Sequence, residues 1–390
     1  MWPALNFAIL KPMKRFFRKA LLLPLFALLL GLLWLLGLPL LRWLRLLLPV
    51  PSWLFGLIWL SPSLALALSY TLSGRRLRTV LHRVGECWFG VFLYLTMAFA
   101  CYAAVLGLLR LIGVPVSAAW RVRGGWLALA AFLLCYAGGV INALHIRVVR
   151  RRIELPLASP LTLVLLSDLH LGFFSGRRML PRISRAVRAQ RPDAVLLAGD
   201  IFDMDYESLR QPEQKRQVLA GLSANAPVFA CGGNHDLLYP DVRTAAFIRG
   251  SGIRLLADES CSFRGLTLLG RRDVLDEARR GPEQVYAGLP QDQPLLVLDH
   301  SPEAYREAWE HGADLVVSGH THGGQTFPGN LLQRLLMPFP IYGHRQRDGR
   351  HLVVTSGAGF WGPPLRVGVN NEIVRLELAP LPEQDGRQRL

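Results

Sequence analysis

The first 146 residues are dominated by long apolar runs that exclude charge, and the rest of the chain alternates short apolar runs with polar segments. In the first part, the runs predict helices over 20–41, 50–73, 87–109 and 124–144. Each suits a hydrocarbon core of roughly 30 Å, which about 20 helical residues cross. After Pro160 the period changes. The runs 161–167, 194–198, 228–231, 266–269, 295–298, 315–317, 352–355 and 373–378 are short and β-rich, whereas 178–190, 241–249 and 302–310 carry a helical period. Strands separated by helices predict an α/β domain over 161–380, joined to the membrane region 1–146 by a linker at 147–160. The residues from 381 to 390 read as a polar tail.

Charge sharpens this division. The overall formal charge is +16, yet residues 1–150 hold 16 Lys and Arg against a single acid, Glu86, and residues 151–390 are nearly balanced at 28 basic against 27 acidic. An excess confined to the apolar half argues against a nucleic-acid partner and for membrane topology. Thirteen Lys and Arg flank the runs on one side and five on the other, so the positive-inside rule predicts a multi-pass inner-membrane protein with both termini and the α/β domain in the cytoplasm. The five cysteines show neither metal nor redox spacing and imply no disulfide framework.

Polar blocks close the apolar runs of the α/β half. Ser167-Asp-Leu-His170, Gly199-Asp-Ile-Phe-Asp203, Gly232-Gly-Asn-His-Asp236, Asp299-His300 and Gly319-His-Thr-His322 each follow a predicted strand. Ligand sites of α/β sheets lie beyond the carboxyl ends of strands, so the five blocks are expected to meet. Asp168, His170, Asp200, Asn234, His300, His320 and His322 offer carboxylate, amide and imidazole donors without thiolate. That mixture suits Mn, Fe or Zn, with Mn favoured. Seven donors exceed the needs of one ion. Two divalent cations about 3.5–4 Å apart, sharing a carboxylate, would use them all and would clamp a phosphoryl group.

In this order, Asp168-x-His170, Gly199-Asp200-x-x-Asp203, Gly233-Asn234-His235-Asp236, His300 and Gly319-His320-x-His322 resemble the signature of the calcineurin-like metallophosphoesterases over roughly residues 160–380. The continuations His322-Gly-Gly-Gln325 and Ser356-Gly-Ala-Gly-Phe-Trp-Gly-Pro-Pro-Leu-Arg366 are similar to the bacterial membrane-associated phosphodiesterase branch. The resemblance implies a two-sheet sandwich flanked by helices. It implies one ion on Asp168, His170, Asp200 and His322, and a second on Asp200, Asn234, His300 and His320. It also implies a catalytic His235 whose second ring nitrogen is held by Asp203, and attack of a metal-bridging hydroxide on a phosphodiester or pyrophosphate. The substrate is expected to be a phosphoester, with a lipid-linked one preferred. One alternative is a UDP-2,3-diacylglucosamine pyrophosphohydrolase of lipid A synthesis. A second is a non-catalytic membrane sensor of a nucleotide or phospholipid, which has no need of the His235 and Asp203 pair.

Three further features are weighed on chemistry alone. Arg366 is a candidate for binding substrate phosphate. Phe173, Phe174 and the run from Leu331 through Ile341 form either an apolar rim toward lipid or a flap packed on the core, with the flap favoured. The arginine-rich stretch 177–191 reads as the wet face of a helix.

Overall fold

The computed structural model describes residues 7–72, 75–174, 178–238 and 242–382, and the chain divides into two compact units, Met1–Tyr136 and Ala137–Leu390. Four helices make up the first part of the chain: α1 (Phe7–Leu47), α2 (Ser52–Ser69), α3 (Arg75–Leu111) and α4 (Ala118–Ala143). All four carry stretches long and apolar enough to cross a bilayer. Their shared core is aromatic: Trp43, Phe55, Trp59 and Phe99 pack with Leu40, Leu41 and Ala128. Trp43 and Trp59 each carry a polar N–H into that apolar setting, and each finds a main-chain carbonyl, Val122 at 3.2 Å and Leu33 at 2.9 Å. A buried indole needs such a partner because nothing in a lipid core replaces it. The side chains of 7–26, which include the basic N-terminal flank, lie outside the described residues, as does the tail from 383.

The second unit holds β1 (Ile146–Leu155), β2 (Leu161–Leu166), α5 (Met179–Ala189), β3 (Ala194–Ala198), α6 (Pro212–Ser223), β4 (Val228–Cys231), α7 (Asn234–Leu238), α8 (Val242–Gly250) and β5 (Ile253–Leu255). Then come β6 (Glu259–Phe263), β7 (Leu266–Gly270), α9 (Pro282–Tyr286), β8 (Leu295–Leu298), α10 (Tyr305–Glu310), β9 (Leu315–Ser318), α11 (Gly329–Leu336), β10 (Gly343–Arg347), β11 (Arg350–Val354) and β12 (Asn371–Pro380). They build two six-stranded mixed sheets, ordered β1-β12-β2-β3-β4-β5 and β10-β11-β9-β8-β7-β6. The α/β sandwich expected from the sequence is therefore present, and all eight predicted strands fall within it.

Composition explains the layers. In β2, β3, β4, β8 and β9 nearly every side chain is buried, as central strands covered on both faces require. Alternate residues such as Leu163, Leu165, Leu196 and Phe229 of the first sheet meet Leu268, Leu296, Leu298 and Val317 of the second to form the inner core. The opposite faces bury against helices: Val164, Leu166 and Val195 meet the apolar stripe Leu180, Ile183 and Val187 of α5. Arg182, Arg185 and Arg188 of that helix point outward, in keeping with a wet face, and Arg177 lies outside the described residues.

One boundary is corrected. The expected linker 147–160 contains β1, which pairs in parallel with β12 from Ile146↔Asn371 to Leu155↔Pro380. Its cluster of Arg147, Arg150, Arg151 and Arg152 reads as loop, yet this is an edge strand whose outward positions tolerate charge.

Candidate metal centre

Six loops at the carboxyl ends of β2, β3, β4, β8, β9 and β11 converge across the two sheets. Five of the expected donors there adopt left-handed backbone: φ is 54° at Asp168, 42° at His170, 51° at Asp200, 70° at His320 and 50° at His322. Left-handed backbone at non-glycine residues costs free energy and clusters where the surroundings enforce a functional geometry. Here the enforcement is visible in main-chain hydrogen bonds. Asp168 N–H donates to Gly199 O at 3.1 Å and His170 N–H to Asp200 O at 3.1 Å. Gly319 has to be glycine for a packing reason: a Cβ there would collide with Ser167 Oγ and Asp168 Oδ2.

The seven expected donor residues come together. Nε2 of His170 and Nε2 of His322 face each other at 3.0 Å, and Asp168 Oδ1 lies 3.5 Å from the latter. Asp200 Oδ2 is 3.2 Å from His300 Nε2 and 3.7 Å from His170 Nε2. Asn234 Oδ1 sits 2.9 Å from His320 Nδ1 and 3.2 Å from His300 Nε2. Donor atoms of Asp168, His170 and His322 lie within 4.8 Å of one another, as do those of Asp168, Asp200 and His300, and those of His170, Asp200 and His235. Asp168, His170, Asp200, His300 and His322 are buried.

The electrostatics of this group are those of a crowded cation site. Burial alone would raise the Asp200 carboxyl, but His300, His170 and His235 overcome it and hold the group well below the usual carboxylate range. Burial pushes His170 and His300 down, and the surrounding carboxylates reverse the sign and raise both. For His320, burial and the neighbouring His300 lower the ring; for His322, burial, His170 and Arg366 lower it strongly. Two imidazoles are thus biased toward the protonated form by the acids, and two toward the neutral form. A divalent ion offers the carboxylates more charge than a proton does, so oxygen and imidazole donors at these separations fit the divalent ions inferred from the sequence.

Two expectations are corrected. His235 Nδ1 does hydrogen-bond Asp203, but through the main-chain carbonyl at 2.7 Å; the Asp203 carboxylate instead faces His170 Nδ1 at 3.5 Å. Arg366 is fully buried and does not reach an open site. Its guanidinium donates to the carbonyls of His322, Ser356, Gly359 and Asn370 and lies 3.1 Å from His322 Nδ1. Spacing gave no means of distinguishing a phosphate-binding arginine from one that ties a loop to the ring of a neighbouring histidine.

Other participants carry no single-residue signature. Asp236 accepts from the N–H groups of Gly233 at 2.9 Å, Phe202 at 3.0 Å and Ile201 at 3.3 Å, pinning two of the converging loops together; burial and Asp200 push it up to about 6. Trp361, 55% exposed, stands edge-on to His235 with ring centres 6.4 Å apart. Gln325 grips its main chain from both sides, at 2.7 and 3.0 Å.

Residues 161–324 match the family model described as calcineurin-like phosphoesterase. A Danio rerio transmembrane protein with metallophosphoesterase domain is 32% identical over 234 residues, covering 56% of this chain and 53% of its own. An uncharacterized metallophosphoesterase of Campylobacter jejuni is 31% identical, with 65% of this chain and 68% of the relative covered. The Escherichia coli phosphodiesterase YaeI is 30% identical, over 57% of this chain and 83% of its own. This chain spans about half the length of the zebrafish relative and 60% of one from Helicobacter pylori. With the signature blocks meeting at one centre on a two-sheet α/β sandwich, and with four apolar helices ahead of it, this chain belongs to the calcineurin-like metallophosphoesterases.

Proposed function

We propose that the chain is a membrane-anchored, dinuclear-metal phosphohydrolase acting on a phosphodiester or pyrophosphate, with an amphiphilic substrate preferred. The observation that carries this reading is the position of Asp200 Oδ2, one oxygen within 3.7 Å of imidazoles from both halves of the donor set. Asp168, His170, Asp200 and His322 would hold one ion, and Asp200, Asn234, His300 and His320 the other, with Mn favoured. When bound, such ions supply Lewis-acid charge that makes water nucleophilic near neutral pH and offsets charge gathering on phosphoryl oxygens.

The residues of this chain do the rest. His300 Nδ1–H donates to Ala198 O at 2.8 Å, which fixes the ring with Nε2 facing Asp200 and the centre, where it would serve as the donor to an ion. His235 works in the same way from the rim: its Nδ1–H is committed to Asp203 O, so Nε2 is the atom that can hold a proton for a leaving oxygen. Trp361 provides an apolar wall beside that ring. The distribution of Lys and Arg along the sequence supports a position of the phosphoesterase unit at the cytoplasmic face of the inner membrane.

The experiment is hydrolysis of bis-p-nitrophenyl phosphate and p-nitrophenyl phosphate by the full chain in detergent, after chelation and then with Mn. Mn-stimulated release of nitrophenol, preferential for the diester and abolished in Asp200→Ala, is expected. Turnover that is indifferent to chelation, or none on any phosphoester, would overturn the reading.

A further inference from the structure

α11 follows the metal-centre loop after only four residues, and its polarity is inverted. Leu331, Leu332, Leu335 and Leu336 are all exposed, Leu335 at 72%, while Asn330 and Gln333 face the protein. At 100° per residue the four leucines share an arc of roughly 140°. The helix buries none of its residues. A water-facing helix hides its leucines and shows its amides, so this one is built for an apolar medium.

Charge names the medium. Beside the end of α11 lies a cleft of about 760 Å³ whose lining, among the described residues, includes Arg306, Arg334, Arg345 and Arg347 and no acidic residue; among the described residues, Arg347 alone of these pairs with an acid, the exposed Asp348 at 3.3 Å. Apolar side chains flanked by arginines complement a bilayer with anionic headgroups.

Within the same compact unit, the exit from the last apolar helix leans on the segment 366–369, which pairs with the run-in to α11 through the bridge Thr326↔Val367. Gly139 O accepts from Arg366 N–H at 3.0 Å, and Asn142 Nδ2 donates to the carbonyls of Arg366 at 3.1 Å and Val369 at 2.6 Å. The intervening Val367 accepts from Phe327 N–H at 2.9 Å and donates to Gln325 O at 3.2 Å, just ahead of α11.

We propose that α11 is an interfacial helix seated in the anionic phospholipid surface by its leucine arc and held there by the arginine cleft, which brings the metal-centre loop just ahead of it toward lipid. Where α11 lies is independent of turnover.

The test incorporates photoreactive p-benzoylphenylalanine at Leu335 of the full chain, reconstituted in vesicles of phosphatidylglycerol and phosphatidylcholine. The control position is Leu275, 70% exposed after β7, toward the other edge of the same sheet from β10. Thermal unfolding in detergent matched to the parent shows that the substituted chains are folded. On illumination, position 335 is expected to yield phospholipid adducts roughly tenfold over position 275, as a leucine sunk into the acyl boundary should. The yield should fall several-fold in pure phosphatidylcholine. Equal lipid yields at the two positions, adducts joining two copies of the chain, or an undiminished yield in neutral vesicles would each overturn the proposal.

Discussion

The imidazole of His235 is held by the main-chain carbonyl of Asp203, 2.7 Å from Nδ1, while the carboxylate of that aspartate turns to His170 Nδ1 at 3.5 Å. One residue therefore serves two histidines through two different groups. The tautomer of His235 survives any substitution at 203 that keeps the backbone in place, whereas the orientation of His170 does not.

This separates two variants that pairing through the side chain would make equivalent. His235→Ala should lower kcat by about 10²–10⁴ with little change in Mn requirement, because it removes a proton carrier. Asp203→Asn should keep most of kcat at saturating Mn but raise the half-saturating Mn concentration by about 10–100-fold, because it acts on a ligand's outer partner. Steady-state kinetics across an Mn titration distinguishes them.

Arg366 yields a prediction about stability rather than affinity. Its buried guanidinium serves four carbonyls, and Lys has neither the planar fork nor enough donors to replace it. Each orphaned carbonyl costs about 1–3 kcal/mol, so Arg366→Lys should lower the thermal midpoint of the solubilised chain sharply. A substrate-binding arginine would instead raise KM and leave the midpoint alone.

Metal uptake should depend on pH in a fixed direction. Burial lowers His170 and His300, but Asp203 with Asp200 raises the first and Asp200 the second above the ordinary histidine value, so the metal-free chain holds protons there more readily and an ion must compete with them. Affinity for Mn should weaken progressively as pH falls through the raised values and approach a plateau above them. Calorimetric titration in buffers of different ionisation enthalpy should show protons released on binding. Binding that is insensitive to pH would mean that these rings are already neutral.

How much of this was legible in the sequence follows from physics. Central strands such as β2 and β9 announce themselves because burial on both faces demands unbroken apolar runs, and the donors at their ends inherit that clarity. β1, β5, β6 and β10, the four sheet edges, are not legible because edge strands are half-exposed, and their charges or short polar stretches resemble loops. The packed-flap reading of the region after Thr326 holds for Ile341, which is buried, and fails for the leucines of α11; for the aromatic pair after His170, Phe173 is buried and Phe174 partly so. Whether the carboxylate or the carbonyl of Asp203 meets His235 depends on a loop backbone that spacing does not specify. The left-handed conformations at Asp168, His170, Asp200, His320 and His322 are likewise invisible in residue type.

The sidedness drawn from Lys and Arg is open to a separate check. A reporter active only in the cytoplasm, fused after Leu390, should be active, and a periplasm-specific one silent. The reverse pattern would move the phosphoesterase unit to the other face.

The central claim is that a single carboxylate, Asp200, links two metal sites, and metal content measured together with rate tests it most directly. Purified with Mn and freed of loosely held ions, the full chain should retain about two divalent ions and hydrolyse a phosphodiester, and Asp200→Ala should retain fewer than one and be inactive. An Asp200→Ala chain that keeps its full complement of metal and its turnover would contradict the account.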